Sequence, residues 1–255
     1  MVVLFYFLEK KGILMKKAPV RHVLVIEGNI GAGKSTFLRL LNQHLDIDPV
    51  FEPHDKWQNV GGGENLLEKF YTDIRRWAYT FQTYAFVTRV LEQEKEVHNC
   101  LSGVQVLERS VYSDRYCFAK NCFEMGVMLP LEWQLYRDWF DWLVEGYTTK
   151  PTGFIYLKTE PSVCYDRLRK RNRHEEAAVP LDYLRRLNEK HEDWLIKRGG
   201  IADYLKDVPV LTLSCDHDFE EDEQELARHL AKIVETFEIQ YKSVKDSQKE
   251  RTVSL

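Results

Sequence analysis

Gly28-Asn29-Ile30-Gly31-Ala32-Gly33-Lys34-Ser35 directly follows the apolar run Val-Leu-Val-Ile at positions 23–26. This stretch fits the G-x-x-x-x-G-K-[ST] pattern of a phosphate-binding P-loop at every required position. Residues 36–41, which start with Thr36, continue it as a helix with one apolar face. Glycine lets consecutive backbone N–H groups turn toward phosphate oxygens, and the helix N-terminus adds a positive dipole there. We therefore predict that the chain binds a nucleoside triphosphate, with Lys34 on the outer phosphates and Ser35 beside Mg²⁺.

The composition favours a single domain. The 255 residues suffice for one α/β domain, and 36 basic against 40 acidic residues argue against a dedicated nucleic-acid partner. Five cysteines without C-x-x-C spacing are typical of reduced thiols in a cytoplasmic protein. The first twenty residues lack the pattern of a signal or transit peptide, and their apolar run is too short to cross a membrane. We expect a flexible extension at 1–20 (with Met15 an alternative start), one folded domain at 21–241 and a disordered tail at 242–255.

Predicted strands alternate with predicted helices along the chain. The apolar runs that predict strands lie at 23–26, 50–51, 103–107, 154–157 and 208–213. Helical periodicity follows at 36–41, 64–99 in two pieces, 131–145, 161–173, 181–197 and 222–239. Such alternation predicts an α/β fold with a five-stranded parallel sheet that is covered by helices on both faces.

Charged residues follow three of these strands, and the first of them is Glu27, directly before the P-loop motif. Glu52 comes directly after the second strand, and Glu108-Arg109 comes after the third. Ligands of parallel sheets bind at the carboxyl ends of the strands, and a carboxylate beside a buried strand is costly unless it is solvated, paired or used. An exposed turn residue at Glu52 and an exposed ion pair at 108–109 are the alternatives.

A second concentration of charge lies at 167–173, where five of seven residues are Arg or Lys. Arg167 and Arg171 share one helix face at i,i+4 spacing. Arginines on one face suit a bidentate grip on phosphate oxygens, which phosphoryl transfer requires. A solvated basic face is the alternative, but the P-loop favours a lid that closes over phosphates.

Several motifs occur together in one order: 27–36, Glu52-Pro53 with Trp57, Arg76-Trp77 with 80–84, 108–116, the Arg-rich segment ending at Glu175-Glu176, and Asp218-Phe219. In these motifs the chain resembles the deoxyribonucleoside kinase family, in its deoxycytidine, deoxyguanosine and deoxyadenosine kinase branch. The resemblance implies a P-loop NTPase-type fold with an Arg-rich lid. It also implies transfer of the γ-phosphoryl group of ATP to the 5′-hydroxyl of a deoxynucleoside in nucleotide salvage.

The resemblance also implies roles for individual residues. Glu52 matches the general base, with Arg109 close by, and Ser35 and Glu108 match the residues that hold Mg²⁺. Other matches are Lys34, Arg167 and Arg171 at the phosphates, Asp218-Phe219 at the donor base, Tyr71 and Glu176 at the sugar 3′-hydroxyl, Gln82 at the base edge, and Trp57 and Phe81 as hydrophobic walls.

Arg89 and Asp114 match the charged pair at the back of the base pocket in the purine- and deoxycytidine-using branch. A buried Arg–Asp pair offers donors and an acceptor to an amino- or oxo-substituted base and leaves little room for a methyl group. We therefore expect deoxyadenosine, deoxyguanosine or deoxycytidine as the acceptor and thymidine as a poor substrate. His217 stands where an acidic residue usually precedes Asp-Phe, so the choice between ATP and UTP stays open.

Two other functions compete with this one. A catalytically silent relative would have no reason to keep Lys34, Ser35, Glu52, Glu108 and the arginines together. A nucleoside monophosphate kinase would need arginines, rather than Glu52, at its acceptor. The resemblance further implies a homodimer, and the charge balance and the short N-terminal apolar run argue against a nucleic-acid or membrane partner.

Overall fold

A single sheet of five parallel strands forms the centre of the computed structural model, which describes residues 20–97, 99–217, 219–220 and 222–242. The strands are β1 (His22–Gly28), β2 (Asp48–Val50), β3 (Val104–Glu108), β4 (Gly153–Lys158) and β5 (Val210–Ser214), in the order β2-β3-β1-β4-β5. The predicted α/β fold with five parallel strands is confirmed. The predicted extension and tail lie outside the described residues, except for residues 20 and 242.

Helices connect the strands and cover both faces of the sheet. They are α1 (Lys34–His44), α2 (His54–Gln58), α3 (Leu66–Thr72), α4 (Ile74–Val97), α5 (Val111–Ser113), α6 (Lys120–Glu124), α7 (Pro130–Tyr147), α8 (Pro161–Arg171), α9 (Leu181–His191), α10 (Asp203–Lys206) and α11 (Glu223–Phe237). Shorter helical turns are π-helical at Asp114–Ala119 and Glu192–Ile196 and 3₁₀ at His174–Glu176.

The central strand β1 shows why both faces need a cover. Val23 and Val25 enter one hydrophobic core, and Leu24 and Ile26 enter the other, because successive side chains of a strand point to opposite faces. Helices α4 and α7 complete the first core with their aromatic residues, and α1, α8, α9 and α11 complete the second with leucine, isoleucine and phenylalanine.

Three of the differences from the sequence-based expectation have a physical reason in the chain itself. Strand β2 starts at Asp48 and includes Pro49, which an edge strand tolerates because one side of its backbone has no strand partner. The helical run from Val111 to Glu124 was missed, since its π-helical middle breaks the 3.6-residue periodicity. The basic helix ends at Arg171, followed by Asn172 in a left-handed conformation with φ 52°.

All five cysteines are buried and unpaired, as expected for reduced thiols. Burial raises the pKa of each thiol above its ordinary value. Within the described part of the chain, no helix combines the length and the apolar character that a membrane span requires.

The register of the sheet brings the carboxyl ends of β1, β2 and β3 to one edge. Ile26 lies opposite Glu108, and Val50 lies opposite Leu107. The segments that follow these strands are the P-loop, Glu52 and Arg109, so the three predicted sources of chemistry meet at this edge.

Candidate active site

A cleft opens at this edge of the sheet and gathers most of the residues expected from the sequence. From the expected set it is lined by Ile30, Gly31, Gly33, Lys34, Ser35, Thr36, Glu52, Trp57, Tyr71, Phe81, Gln82, Arg89, Glu108, Arg109, Asp114, Arg171 and Glu176. Gly28, Asn29, Ala32, Arg167 and Phe219 lie outside this lining, and Asp218 lies outside the described residues.

The P-loop backbone fits closely against its neighbours at two glycines. Gly31 and Gly33 have φ of +82° and +92°, a region that side chains with a Cβ rarely adopt. A Cβ on Gly31 would lie 2.3 Å from the carbonyl oxygen of Cys164, and a Cβ on Gly33 would lie 2.9 Å from the ring of Phe219. The motif therefore needs glycine here for space as well as for conformation.

Asn29 anchors the loop, although its side chain faces away from the cleft. Its amide donates to the carbonyl of Leu184 at 2.8 Å, and its side-chain oxygen accepts from the N–H of Ile30 at 2.9 Å. The Lys34 ammonium donates to the carbonyl of Asn29 at 2.7 Å. Burial lowers the pKa of Lys34 to about 7, and an anionic phosphate in the cleft would favour its charged form.

Ser35 and Glu108 contact each other at the mouth of the P-loop. The Ser35 hydroxyl donates to Oε1 of Glu108 at 2.5 Å. A hydroxyl and a carboxylate are oxygen ligands of the kind that Mg²⁺ uses when it also binds substrate phosphates and water. The described residues contain no cluster of three or more His, Cys, Asp or Glu side chains that could form an all-protein metal site. The donor set therefore fits a Mg²⁺ ion that arrives with a nucleotide.

Glu52 is buried in the wall of the cleft and holds three cationic or polar partners. Its Oε1 lies 2.6 Å from Nη2 of Arg89 and 3.4 Å from Nε of Arg109, and its Oε2 lies 3.1 Å from Nε2 of His54. Although burial opposes ionisation, Arg89, His54 and Arg109 hold the pKa of Glu52 well below its ordinary value. Glu52 is therefore an ionised carboxylate in a protected site.

Arg89 links this carboxylate to the back of the pocket. It donates from Nε and Nη2 to both oxygens of Asp114, at 2.7 and 3.0 Å, while Nη2 also reaches Glu52. The two carboxylates keep Arg89 positive, and burial raises the pKa of Asp114. The guanidinium of Arg89 thus binds Glu52 as well as the expected partner Asp114. The sequence did not indicate this second contact.

Arg109 sits in a strained backbone conformation with φ of +63°. Its N–H donates to the carbonyl of Ile26 at 2.9 Å, which ties the end of β3 to β1. Its guanidinium lies 4.7 Å from the ring centre of Phe118, a cation–π distance. Behind it, the Ser110 hydroxyl donates at 2.6 Å to Glu27, and burial raises the pKa of Glu27 to about 7.

An aromatic slot forms the inner part of the cleft. Phe70 stacks on Phe81 with ring centres 4.6 Å apart, and Trp57 meets Phe81 edge-on at 5.6 Å. The Trp57 indole N–H donates to the Thr88 hydroxyl at 2.9 Å, which fixes the ring. Gln82 is buried at the end of the slot, and its amide nitrogen has no hydrogen-bond partner among the described residues. This slot can take a flat base with a polar edge.

Tyr71 and Glu176 face the cleft from α3 and from the 3₁₀ turn after the basic helix. Glu176 is buried and accepts from Arg171 at 2.5 Å, with Arg173 at 3.8 Å. Burial, with the negative charge of Glu176, raises the pKa of the Tyr71 phenol, which therefore stays a hydrogen-bond donor.

The two arginines expected to share the lid are separated. Arg171 lines the cleft, whereas Arg167 donates to the carbonyls of Cys215 and His217 at 2.8 and 3.0 Å. Arg167 therefore holds the segment after β5, where Phe219 packs edge-on against Phe37 at 5.2 Å. Although Arg167 and Arg171 share one helix face, only Arg171 lies at the cleft, and Arg167 binds the loop that follows β5.

Sequence reasoning gave no site role to several residues, and three of them bear directly on the expected ones. His54 and Thr88 contact Glu52 and Trp57 directly, and Glu27 lies behind Arg109. The sequence held one hint of His54, because a single proline, Pro53, separates it from Glu52 and prolines favour tight turns. Thr88 offered none, since its partner lies in another helix.

Comparison with known proteins identifies the family and several relatives of this chain. Residues 24–237 match the family model described as deoxynucleoside kinase. The chain is 44% identical over 220 residues to deoxycytidine kinase 2 of Gallus gallus, covering 77% of this chain and 83% of that protein. It is 39% identical over 234 residues to deoxycytidine kinase of Homo sapiens (83% and 90%). It is also 39% identical over 218 residues to the mitochondrial deoxyguanosine kinase of Xenopus laevis (77% and 82%).

Proposed function

This chain belongs to the deoxynucleoside kinase family and is a deoxynucleoside kinase of nucleotide salvage, and from that premise we propose its substrates and the roles of its residues. The acceptor is deoxycytidine, deoxyadenosine or deoxyguanosine, and the donor is ATP with Mg²⁺. The observation that carries the proposal is the ionised, buried Glu52 in the same cleft as the P-loop.

Glu52 acts as the general base. A nucleoside whose base lies in the aromatic slot would point its 5′-hydroxyl toward the P-loop, past Glu52. The carboxylate accepts the hydroxyl proton as the oxygen attacks the γ-phosphorus of ATP, and ADP leaves. Arg109, buried beside Glu52, and Arg171 at the cleft supply positive charge where negative charge spreads over the transferred group.

The P-loop binds the donor phosphates. Backbone N–H groups of 28–36 and the Lys34 ammonium contact phosphate oxygens, and Lys34 exchanges its bond to the Asn29 carbonyl for a phosphate. Ser35 and Glu108 would hold Mg²⁺, which when bound neutralises phosphate charge. Phe219, with its sequence neighbour Asp218, would contact the base of the donor. For Arg167 to reach phosphates it must release the carbonyls of Cys215 and His217.

The acceptor base is selected inside the slot. Trp57 and Phe81 form hydrophobic walls beside it, and the amide nitrogen of Gln82, which has no partner among the described residues, donates to an acceptor on the edge of the base. The charged pair Arg89–Asp114 stands where the methyl group of thymidine would need apolar space. Tyr71 and Glu176 bind the sugar 3′-hydroxyl.

The test is side-by-side phosphorylation of deoxyadenosine, deoxyguanosine, deoxycytidine, thymidine and deoxycytidine monophosphate with Mg²⁺ and either ATP or UTP. We expect the highest kcat/KM with one of the first three and with ATP. Thymidine as the best acceptor would refute the role of Arg89–Asp114 in base choice. Phosphorylation of a nucleoside monophosphate instead, or no turnover with any acceptor, would refute the proposed reaction.

The same proposal includes a homodimer. Helix α7 exposes Leu131, Leu135, Trp139 and Trp142, spaced 4, 4 and 3 residues apart, so they form one apolar stripe on the helix. An exposed stripe of this kind is typical of a protein interface. Light scattering should give twice the chain mass of 30.2 kDa, and Trp142→Glu should give a monomer. A monomeric unmodified protein would refute it.

We place the enzyme in the cytoplasm. Its five unpaired cysteines suit a reducing compartment, although one relative is named mitochondrial. Fractionation of cells that express the full chain should leave it in the cytosolic fraction, and recovery with mitochondria would overturn this assignment.

A further inference from the structure

We propose that His54 is a positioning residue for Glu52. Its imidazole holds Oε2 of Glu52 in the orientation in which this oxygen receives the proton of the 5′-hydroxyl. The inference rests on the proposed function, because it requires Glu52 to be the base. Nothing in the P-loop, the lid or the expected motifs assigns a role to this histidine.

A tight turn brings the two side chains together. The N–H of His54 donates to the carbonyl of Glu52 at 2.8 Å, and Pro53 between them has φ −80° and ψ 56°. These values define an inverse γ-turn, and the proline ring restrains φ near this value. The turn folds the chain back so that residues on either side of Pro53 reach the same point in the cleft wall. The segment is therefore built to place an imidazole against the carboxylate.

The oxygens of Glu52 are held unequally. Oε1 accepts from Nη2 of Arg89 at 2.6 Å and faces Nε of Arg109 at 3.4 Å. Oε2 has His54, with Nε2 at 3.1 Å, as its side-chain partner among the described residues. A carboxylate offers about four lone-pair sites, so the two guanidinium groups occupy Oε1 while Oε2 keeps one site open. Oε2 is therefore the oxygen available to the substrate, and His54 sets its direction.

The ring of His54 is fixed by packing and donates from one nitrogen. It meets Trp57 edge-on with ring centres 5.2 Å apart. Its Nδ1 is buried and has no hydrogen-bond partner within the described residues. We assign the Nε2 proton from this geometry, because a bare nitrogen at Nε2 would face the carboxylate. Because Nδ1 faces no described group that could accept a proton, we assign His54 to orienting Glu52 rather than to relaying its proton.

Two substitutions separate the hydrogen bond from the packing. His54→Phe keeps a ring against Trp57 and removes the donor, whereas His54→Gln places an amide nitrogen near the Nε2 position. For His54→Phe we expect kcat with deoxycytidine to fall about tenfold to a hundredfold, the effect of one lost hydrogen bond to a charged group. We expect the KM for deoxycytidine to stay within about twofold, because His54 orients Glu52 and the proposal gives it no contact with the bound nucleoside. His54→Gln should recover most of the lost kcat.

Steady-state kinetics of both variants are compared with those of Glu52→Gln. A normal kcat in His54→Phe, an equal loss in the Phe and Gln variants, or a change in KM alone would overturn the inference. If Glu52→Gln keeps normal turnover, the base assignment itself fails, whatever the histidine variants do. If Glu52→Gln is inactive and His54→Phe is fully active, only the role of His54 fails. Should His54→Phe not fold, His54→Asn replaces it, since its shorter amide reaches the Nδ1 but not the Nε2 position and should show the same loss.

Discussion

Replacing Arg89 with methionine should destabilise the protein strongly, because this one side chain neutralises two buried carboxylates. Its guanidinium lies 2.7 Å from Asp114 and 2.6 Å from Glu52, and all three side chains are at most 7% exposed. Methionine keeps the aliphatic volume but leaves both acids without this partner. Glu52 retains Arg109 and His54, whereas Asp114 loses its ion pair.

The expected loss follows from breaking a buried ion pair on one side, which costs about 3–5 kcal/mol of unfolding free energy. For a chain of this size that corresponds to a fall in Tm of about 10 °C. Replacing Asp114 with leucine as well removes the stranded charge, and apolar replacement of both members of a buried pair is often nearly neutral. The double variant should therefore be more stable than Arg89→Met alone, by about 2 kcal/mol.

Thermal unfolding followed by circular dichroism measures all the variants of this cycle. Arg185→Met is the matched control, because Arg185 pairs with Asp182 on the surface, where both side chains are more than half exposed. We expect a change of less than about 1 kcal/mol there. Additive effects of the Arg89 and Asp114 changes, or an equal loss in the control, would refute the reasoning.

The same variants report on catalysis. Because Arg89 holds Glu52 as well as Asp114, kcat should fall with every nucleoside. The ratio of thymidine to deoxycytidine kcat/KM should nevertheless rise in the double variant, since apolar side chains make room for a methyl group. An unchanged ratio would show that Arg89 and Asp114 do not determine which base the enzyme accepts.

Three further predictions follow from other parts of the site. Lys34→Ala should lower kcat about a hundredfold or more, as expected for a lost phosphate contact, and near-normal turnover would contradict its role. Gly31→Ala should lower Tm more than Gly61→Ala, because both have positive φ but only the first meets a backbone carbonyl; the difference should be about 1–3 kcal/mol, and equal Tm values would refute the clash. Glu27, with a pKa raised to about 7 from 4.5 by burial, gives stability that is full below pH 4.5 and lost as pH rises through 7. From pH 5 to pH 8, the unfolding free energy of Glu27→Gln, measured with urea, should therefore rise by up to about 3 kcal/mol relative to that of the unmodified protein. The same difference between the two proteins at both pH values would contradict this.

Patterns that depend on local sequence predicted the architecture well. The P-loop motif and the alternation of strands and helices are local, and the edge where ligands gather follows from parallel pairing alone. Glu52, Glu108 and Arg109 could be placed at this edge because each directly follows a strand.

What the sequence did not predict depends on backbone angles or on partners far along the chain. His54 approaches Glu52 only because Pro53 closes a γ-turn, which no periodicity reports. Arg167 shares a helix face with Arg171, yet its partners are carbonyls 48 and 50 residues further on. Helical spacing tells which residues lie side by side, but it does not tell which loop they meet.

Because its five cysteines are buried, the native protein should react only slowly with thiol-labelling reagents. Thiol reagents react with the thiolate at an accessible position, and here every native thiol is covered and has a raised pKa. A cysteine introduced at the exposed Lys170, on the basic helix, would react far faster than any of them. One fluorophore at that position would test whether the basic helix moves during turnover, with every native core residue left in place.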